Sequence, residues 1–157
     1  MSNSIRGGVV TATYVGNNTR TLIINKEKVS GSIKMYVDGQ EESPISYYDF
    51  GDTKEHEVIF EFDKDQPYMD SLFSFSIALN SIDLSRFNTL YMTSMRNMFY
   101  GCTSLKYLKI TRSINKVSDA TRMFFQISTT GTFEYNQAHD YSKIIEQLPS
   151  TWTAKPI

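Results

Sequence analysis

The chain has 157 residues, of which 40% are hydrophobic and 13% aromatic, so it can bury a core and is too apolar to be disordered overall. Its single cysteine excludes an internal disulfide, and its net charge of −1 argues against a strongly basic nucleic-acid-binding domain. The charge is uneven, because residues 1–80 carry 7 Lys and Arg against 12 Asp and Glu, whereas residues 81–157 carry 9 against 5. This asymmetry indicates two modules with different surfaces, which could attract one another within a chain or between chains.

Five short segments of the first half alternate apolar and polar residues, as strands with one buried face do. These segments are residues 9–15, 20–26, 32–37, 44–50 and 55–63. The second is expected to return beside the first, and Asp38-Gly39 predicts a two-residue hairpin because both central positions favour a positive φ. Together the segments predict a small antiparallel β-sandwich within a first domain of residues 1–66.

An apolar pattern recurs every 25 or 26 residues in the second half of the chain. The matched pairs are Phe73 with Phe99, Ile82 with Leu108, Leu84 with Ile110, Met98 with Met123, Leu108 with Phe133, and Ile110 with Tyr135. A period of this length is typical of a stacked solenoid, in which each unit buries its face on its neighbours. We expect each unit to end in a strand, at residues 80–84, 106–110 and 132–135, within a second domain of residues 67–157.

Alternation within the three repeat strands predicts an outward-facing surface, here called the outer sheet face. Its six side chains are those of Ser81, Tyr107 and Thr132 in one column, and of Asp83, Lys109 and Glu134 in the other. The second column alternates in sign and predicts a cross-strand charge ladder, although exposed ion pairs contribute only about 0–1 kcal/mol each. We expect contact with a ligand or partner through Tyr107 and Lys109, since tyrosines and cations are frequent in recognition surfaces.

The last part of the chain predicts a cap. Ala138, Tyr141 and Ile144 recur at helical spacing, so an amphipathic helix is expected over residues 138–148, followed by a packed tail with Trp152. A solenoid this short needs both ends covered, one by the sandwich and the other by this helix. The predicted fold class is therefore α+β and mostly β, with a sandwich, a short leucine-rich-repeat solenoid and a C-terminal capping helix.

The residues with reactive or ligating side chains do not form a familiar catalytic or metal-binding pattern. His56 and His139 lie in different modules, and Cys102, without a nearby histidine, is typical of a small buried hydrophobic residue. The segment Asp63–Asp65 with Asp70 could ligate calcium, but no glycine provides the sharp loop that such sites need. We therefore predict no catalytic, cofactor or metal site.

Seven Lys and Arg residues but only two Asp lie between residues 82 and 122, with Tyr91, Tyr100 and Tyr107 among them. This stretch could hold an acidic glycan or phosphate. It could equally be a solvated solenoid surface, or dock the acidic module of a neighbouring chain. Nucleic-acid binding is the weakest alternative, because no nucleic-acid motif accompanies the charge.

The central repeat resembles the BspA-like leucine-rich repeat proteins of Bacteroides and related gut or oral bacteria. Their pattern Met-Phe-x-x-Cys-x-Ser-Leu-x-x-Leu-x-Leu is filled by Met98, Phe99, Cys102, Ser104, Leu105, Leu108 and Ile110. The first and third repeats keep less of this pattern. The front half resembles the small β domain that precedes such repeats, through Val37-Asp-Gly39 and the strand Glu55–Phe60.

The resemblance implies surface display, binding to host proteins, glycans or other cells, and no catalysis. Related short proteins occur in phages of these bacteria as virion components. Residues 1–6 lack the apolar segment of a secretion signal, which favours that setting slightly. The resulting hypothesis is a non-enzymatic tail, fibre or capsid-surface protein of a phage virion, used for assembly or host attachment. A bacterial cell-surface adhesin that binds host protein or glycan is the alternative.

Protein partners in a homo-oligomer or virion are expected, and a bacterial surface glycan or protein is a further candidate partner. No nucleic acid is expected, nor any membrane insertion, since no run approaches 18 apolar residues. A different class of function, a glycan-active enzyme, would need two carboxylates about 5–9.5 Å apart in one cleft. Asp83 and Glu134 are the nearest pair on the predicted sheet, but Lys109 would lie between them and hold both ionised.

Overall fold

The computed structural model describes residues 5–157. The start of the predicted first domain, and most of the segment considered as a secretion signal, lie outside the described residues. In chain order the strands are β1 (Gly8–Val15), β2 (Arg20–Leu22), β3 (Ile33–Val37), β4 (Gln40–Glu42), β5 (Tyr47–Asp49), β6 (Glu55–Phe62), β7 (Leu79–Asp83), β8 (Tyr107–Ile110), β9 (Gly131–Tyr135) and β10 (Trp152–Pro156). One short helix, α1 (Ser142–Ile145), and a 3-10 turn, Lys26–Lys28, complete the elements of the described chain.

A single eight-stranded sheet runs through both halves of the molecule, in the order β10-β9-β8-β7-β1-β6-β3-β4. Strands β7 to β10 are parallel to one another, whereas β1, β6, β3 and β4 pair antiparallel. The two halves join where β1 pairs antiparallel with β7, with Thr11 opposite Asp83. The protein is therefore mostly β, with about three stacked solenoid turns attached to an antiparallel sheet.

The predicted N-terminal sandwich is not confirmed. Four of the first six strands lie in the same sheet as the repeats, and only β2 and β5 form a separate two-stranded ladder. The expected return of residues 20–26 beside β1 is wrong, because both edges of β1 are occupied by β6 and β7. The division into domains 1–66 and 67–157 stays a prediction, and the sheet continues across that boundary.

The predicted Asp38-Gly39 hairpin is present. Asp38 and Gly39 have φ values of 48° and 82°, and Val37 lies opposite Gln40 across the two-residue loop. The strand that follows, β4, consists of Gln40, Glu41 and Glu42, all exposed. The sequence pattern missed this strand because it contains no apolar residue, so only the turn geometry places it in the sheet.

The solenoid repeats stack around a buried column of aromatic rings. Phe73 lies 6.0 Å from Phe99, Phe99 lies 6.0 Å from Phe124, and Phe124 lies 6.1 Å from Trp152, all measured between ring centroids. Neighbouring coils also share backbone hydrogen bonds, such as that from the Phe99 N–H to the Met123 carbonyl at 3.0 Å. The 25- or 26-residue period therefore corresponds to one coil, as the sequence predicts.

Each coil turns twice through left-handed backbone at equivalent positions. The first position is occupied by Ser71, Asn97 and Arg122, and the second by Phe75, Gly101 and Gln126, with φ between 55° and 73°. A non-glycine residue in this region is strained by about 1–2 kcal/mol, which makes the second position a natural place for glycine. Only the central coil has glycine there, whereas the first coil has Phe75 and the third has Gln126.

The C-terminal end is closed by a strand more than by a helix. The predicted helix over residues 138–148 is not confirmed at that length, because α1 has four residues. Asn136 and Asp140 accept backbone hydrogen bonds from Ala138 and Ser142, and these turns replace the expected first helical turns. The predicted tail instead forms β10, parallel to β9, and Trp152 in it is only 7% exposed.

Candidate functional site

The outer sheet face is formed by β7, β8 and β9 in the register that the sequence predicts. Ser81 lies opposite Tyr107, which lies opposite Thr132. In the second column Lys109 lies between Asp83 and Glu134. All six side chains are half-buried, while Ile82, Leu108 and Phe133, between the two columns, point into the core. The six predicted site residues therefore lie on one surface.

The same surface extends beyond the repeats on both sides. On β10, Thr153 and Lys155 continue the two columns opposite Thr132 and Glu134. On β1, Thr13 and Thr11 continue them opposite Ser81 and Asp83, and the Thr13 and Ser81 hydroxyls are 2.6 Å apart. Ile59 of β6 and Tyr36 of β3 then extend the second column toward the other edge. Across eight strands the face measures about 34 Å, at roughly 4.8 Å per strand.

Sequence reasoning missed these flanking residues for identifiable reasons. Alternation in β1 and β6 shows which side chains share a face, but it does not show that the antiparallel strands join the repeat sheet. Lys155 was missed because Pro156 follows it, and proline argues against a strand unless that strand lies at an edge. Strand β10 is an edge strand of this sheet, so the proline is tolerated there.

Three polar side chains on the face form a connected group. The Tyr107 hydroxyl and the Lys155 ammonium both donate hydrogen bonds to the Glu134 carboxylate, the second at 3.0 Å. The hydrogen bond from Tyr107, with that from Lys155, lowers the pKa of Glu134. Partial burial, followed by the hydrogen bond to Glu134, raises the pKa of Tyr107. Glu134 is therefore a fixed anion that orients the tyrosine ring.

The predicted charge ladder of Asp83, Lys109 and Glu134 has its register in the described chain, but no ion pair forms among these three residues. Glu134 pairs with Lys155, which the sequence analysis did not include, and not with Lys109. Asp83 accepts a hydrogen bond from the backbone N–H of Ser85 at 2.7 Å. Within residues 5–157, Lys109 has no carboxylate oxygen within 4.0 Å of its ammonium nitrogen. Lys109 therefore forms no close ion pair in this part of the chain, although Asp83 and Glu134 flank it in register.

Asp83 and Glu134 lie on an open sheet, two strands apart. Lys109 lies between them in register, as expected, and its charge is among the causes that lower the pKa of Glu134. Glycoside hydrolysis needs one of two facing carboxyl groups to keep its proton near neutral pH, which requires a raised pKa. The position of Lys109 opposes that requirement.

The other candidate reactive groups lie apart from this face and from one another. His56 lies between the carboxylates of Asp38 and Asp52, with each ring nitrogen 2.7 Å from a carboxylate oxygen, and the protonated ring donates to both. Cys102 is buried, its Sγ donates to the Phe73 carbonyl, and burial raises the pKa of its thiol to about 12. His139 is exposed near Tyr141.

The three aspartates that the sequence offers as calcium ligands accept hydrogen bonds from other parts of the protein. Asp63 accepts from the Ser32 backbone N–H at 2.8 Å, Asp65 accepts from the Asn88 side chain at 2.7 Å, and Asp70 accepts from Ser94. Among the residues that the structure describes, no group of three or more His, Cys, Asp or Glu side chains is arranged to hold a metal ion.

The basic residues between positions 82 and 122 are dispersed over several contacts. Arg96 lies 3.9 Å from Asp70, Arg112 donates to the Ser85 carbonyl at 3.1 Å, and Lys116 lies 5.2 Å from the centre of the Tyr91 ring. Arg122 lies over the rings of Tyr100 and Phe125.

In the described chain, no helix is both long and apolar enough to cross a bilayer.

Fold and surface together define a repeat protein, in which stacked coils extend a sheet with one open polar face. Residues 50–140 match the family described as "Mycoplasma protein of unknown function, DUF285". Because this match covers more than half of the chain, the protein belongs to that family. Neither a curated protein nor a solved structure matches the sequence.

Proposed function

We propose that the protein is a non-enzymatic binding module of a surface repeat protein, similar to BspA-like proteins, and that it binds through the outer sheet face. Family membership and the stacked repeats both fit a repeat protein displayed at a surface. The observation that carries the proposal is that Lys109, which forms no close ion pair in the described chain, lies beside Tyr107, whose hydroxyl is held by Glu134. Tyrosine is enriched in binding hot spots, and the neighbouring lysine adds a positive charge that can steer an anionic partner.

The open face also has suitable dimensions for a protein or glycan partner. It is about 34 Å long, and strands of three to eight residues give it a width of roughly 10–27 Å. Its half-buried polar side chains are those of Thr, Ser, Tyr and charged residues, all of which can form hydrogen bonds. A tyrosine loses little conformational entropy when it is ordered by a partner. A host protein or glycan is the partner class that this composition supports.

The experiment is a binding screen with the purified protein against host extracellular proteins and a glycan array. Lys109→Glu should lower the affinity for any ligand of the face by about tenfold or more, since like charge opposes an anionic partner. Lys28→Glu is the matched control, because Lys28 is an exposed cation in the 3-10 turn and outside the face. Equal affinity loss in both variants, or in neither, would contradict the proposal.

A phage virion location, the first expectation from the sequence, stays a prediction, as does the bacterial cell surface. Mass spectrometry of purified phage particles and of bacterial surface fractions would distinguish the two. The proposed binding through Lys109 does not depend on which location is correct.

A further inference from the structure

A second aromatic column runs along the outside of the solenoid, separate from the buried rings and from the outer sheet face. Here called the aromatic ladder, it consists of Phe75, Tyr100 and Phe125, one ring from each coil. Ring centroids are 5.2 Å apart from Phe75 to Tyr100 and 5.2 Å apart from Tyr100 to Phe125. Phe75 is 57% exposed and Phe125 is 45% exposed, so much of this apolar surface is in contact with solvent.

Phe75 occupies its place on the ladder at a cost in backbone strain. Its φ is 61°, at the position where the next coil has Gly101 with φ 73°. The ring lies over Gly101, where an added Cβ would come within 2.7 Å of the Phe75 ring. A glycine at position 75 would avoid both the strain and the exposed apolar surface, so stability alone explains this phenylalanine poorly. Strained residues with exposed apolar side chains are often functional.

Arg122 places a cation at one end of the ladder. Its guanidinium carbon lies 5.2 Å from the centre of the Phe125 ring and 5.7 Å from that of Tyr100. Within residues 5–157 it has no carboxylate oxygen at salt-bridge distance. In the same part of the chain, no Lys or Arg side chain lies over the Phe75 ring at the other end. The ladder therefore has one cationic end and one bare aromatic end.

The rings of the ladder follow the same order from either end. Tyr100 lies in the middle, with a phenylalanine at the same centroid distance on each side. A half-turn about an axis through Tyr100 therefore exchanges the positions of Phe75 and Phe125. In a two-fold dimer the same patch of both copies meets, so the patch has to complement itself. The arrangement of these rings meets that condition without any second surface.

We propose that two copies of the chain pair through their aromatic ladders, running in opposite directions about a two-fold axis at Tyr100. Phe75 of each copy then lies opposite the partner's Phe125. Arg122 thereby reaches the bare Phe75 ring of the other copy, where a guanidinium is attracted to the face of an aromatic ring. Each dimer contains two such contacts, related by the axis.

The charge of Arg122 decides the direction of the pairing. If the ladders ran in the same direction, each Arg122 would meet the partner's Arg122, and like charges would repel. In opposite directions the two guanidinium groups are two coils apart, about 10 Å at roughly 4.8 Å per coil. Salt at physiological concentration largely screens charges at that separation. The opposite direction is therefore the one that the charges allow.

The contact is expected to be weak and to stop at a dimer. The exposed fractions of Phe75 and Phe125 correspond together to roughly 150–250 Å², whereas a standard stable interface takes about 800 Å² from each partner. Because the patch pairs with itself, no second copy of it stays free for a third molecule. Such a dimer carries two outer sheet faces, and the failure of this proposal would leave the proposed binding function untouched.

The test is sedimentation equilibrium of the full chain, at concentrations up to about 1 mM and at low and high salt. The wild type should rise from its monomer mass of 18.0 kDa toward twice that mass and no further. High salt should preserve the dimer, because rings form most of the contact. Arg122→Glu and Phe75→Lys should each weaken association by about tenfold or more, since each removes both ring–cation contacts of a dimer.

Mixing these two variants gives the sharpest result. In the mixed dimer the introduced lysine at position 75 meets the introduced glutamate at position 122, and at the other end the native Arg122 meets the native Phe75. The mixture should therefore dimerise more tightly than either variant alone. Lys116→Glu is the matched control, since it removes a cation 5.2 Å from the centre of the Tyr91 ring, away from the ladder. It should associate as the wild type does.

A further variant separates association from stability. Phe75→Gly relieves the positive φ and removes the ring, so it should stay folded in thermal unfolding and lose the dimer. A Phe75→Gly variant that dimerises as the wild type does would overturn the proposal. So would a mixture of the two charge variants that associates no better than its components. A wild type that stays monomeric at every concentration would overturn it as well and assign the ladder to a different kind of partner.

Discussion

At the scale of single residues, His56 is the best-defined titrating group of the molecule. Its ring lies between the carboxylates of Asp38 and Asp52 and stacks on Phe50 at 4.7 Å. Asp38 belongs to the β3–β4 turn and Asp52 to the turn before β6, so one imidazole ties two turns together. The hydrogen bond to Asp38, then that to Asp52, raises the pKa of His56 above its ordinary 6.5. The same hydrogen bonds lower the pKa of both carboxyl groups below 3.8.

These shifts fix the direction of a pH dependence. The His56 contribution to stability is fully present below pH 6.5 and is lost as pH rises through its higher folded-state pKa. The carboxylate contributions are present above pH 3.8 and are lost as pH falls through their lower folded-state values. Stability from this group is therefore greatest in mildly acidic solution, between these limits.

We predict that His56→Gln flattens the decline in the free energy of unfolding between about pH 6 and pH 8, because glutamine cannot release the proton that couples folding to pH. Urea unfolding at a series of pH values measures the decline. His139→Gln is the control, since this exposed histidine lacks a carboxylate on either ring nitrogen in the described chain. An unchanged slope in His56→Gln would show that other groups set the pH dependence.

At the scale of elements, the sequence predicts strands well where alternation coincides with a core. Strands β3, β6, β7, β8 and β9 lie within one or two residues of their predicted ranges. Strand β4 could not be predicted from alternation because all three of its residues are polar or charged. The long helix failed because the Asn136 and Asp140 side chains bind nearby backbone N–H groups and hold the chain in turns.

The sequence likewise predicts only part of the outer sheet face. Its six predicted residues could be found because a period of 25 or 26 fixes which strand positions face each other. The partner of Glu134 could not be found, because Lys155 reaches it from a strand outside the repeat period. Neighbours that come from another part of the chain leave no periodic signal.

The buried ring column gives a prediction at this scale. Phe99 is fully buried between Phe73 and Phe124, so Phe99→Ala should lower the free energy of unfolding by about 3–5 kcal/mol. Phe125→Ala, which removes a ring that is 45% exposed in the same repeat, should cost much less. Urea unfolding of both variants measures the difference. Equal losses in free energy of unfolding would contradict the idea that the buried ring stabilises the fold more than the exposed one.

At the scale of the whole molecule, the sheet is continuous from β4 to β10, and its C-terminal end is closed by Trp152. The indole stacks on Phe124, and its N–H donates to the Ser128 carbonyl at 2.9 Å. The small number of repeats indicates that the solenoid needs a cap, and the sequence correctly places Trp152 in it. That the cap is a fourth parallel strand depends on a pairing with β9 that no local pattern encodes.

We predict that Trp152→Ala destabilises the protein by about 3–5 kcal/mol, because it opens the last coil and leaves the Ser128 carbonyl without its donor. Hydrogen exchange should accelerate first in β9 and later in β6, since β9 lies beside the opened end. Thr153→Ala, one residue away on the exposed side of β10, is the control. A loss below about 1 kcal/mol in Trp152→Ala would assign the cap to other residues.

The central position of β1 has a consequence for synthesis. This strand leaves the ribosome well before its two neighbours, β6 and β7, so Thr11 must wait for Asp83. Until then Val10, Ala12 and Tyr14 have no sheet to enter, although all three are fully buried in the finished molecule. Pairings so distant along the chain make folding slow and leave nascent strands exposed to aggregation. A cell that makes this protein therefore has to shelter β1 until β7 has been synthesised, which gives chaperones a defined segment to hold.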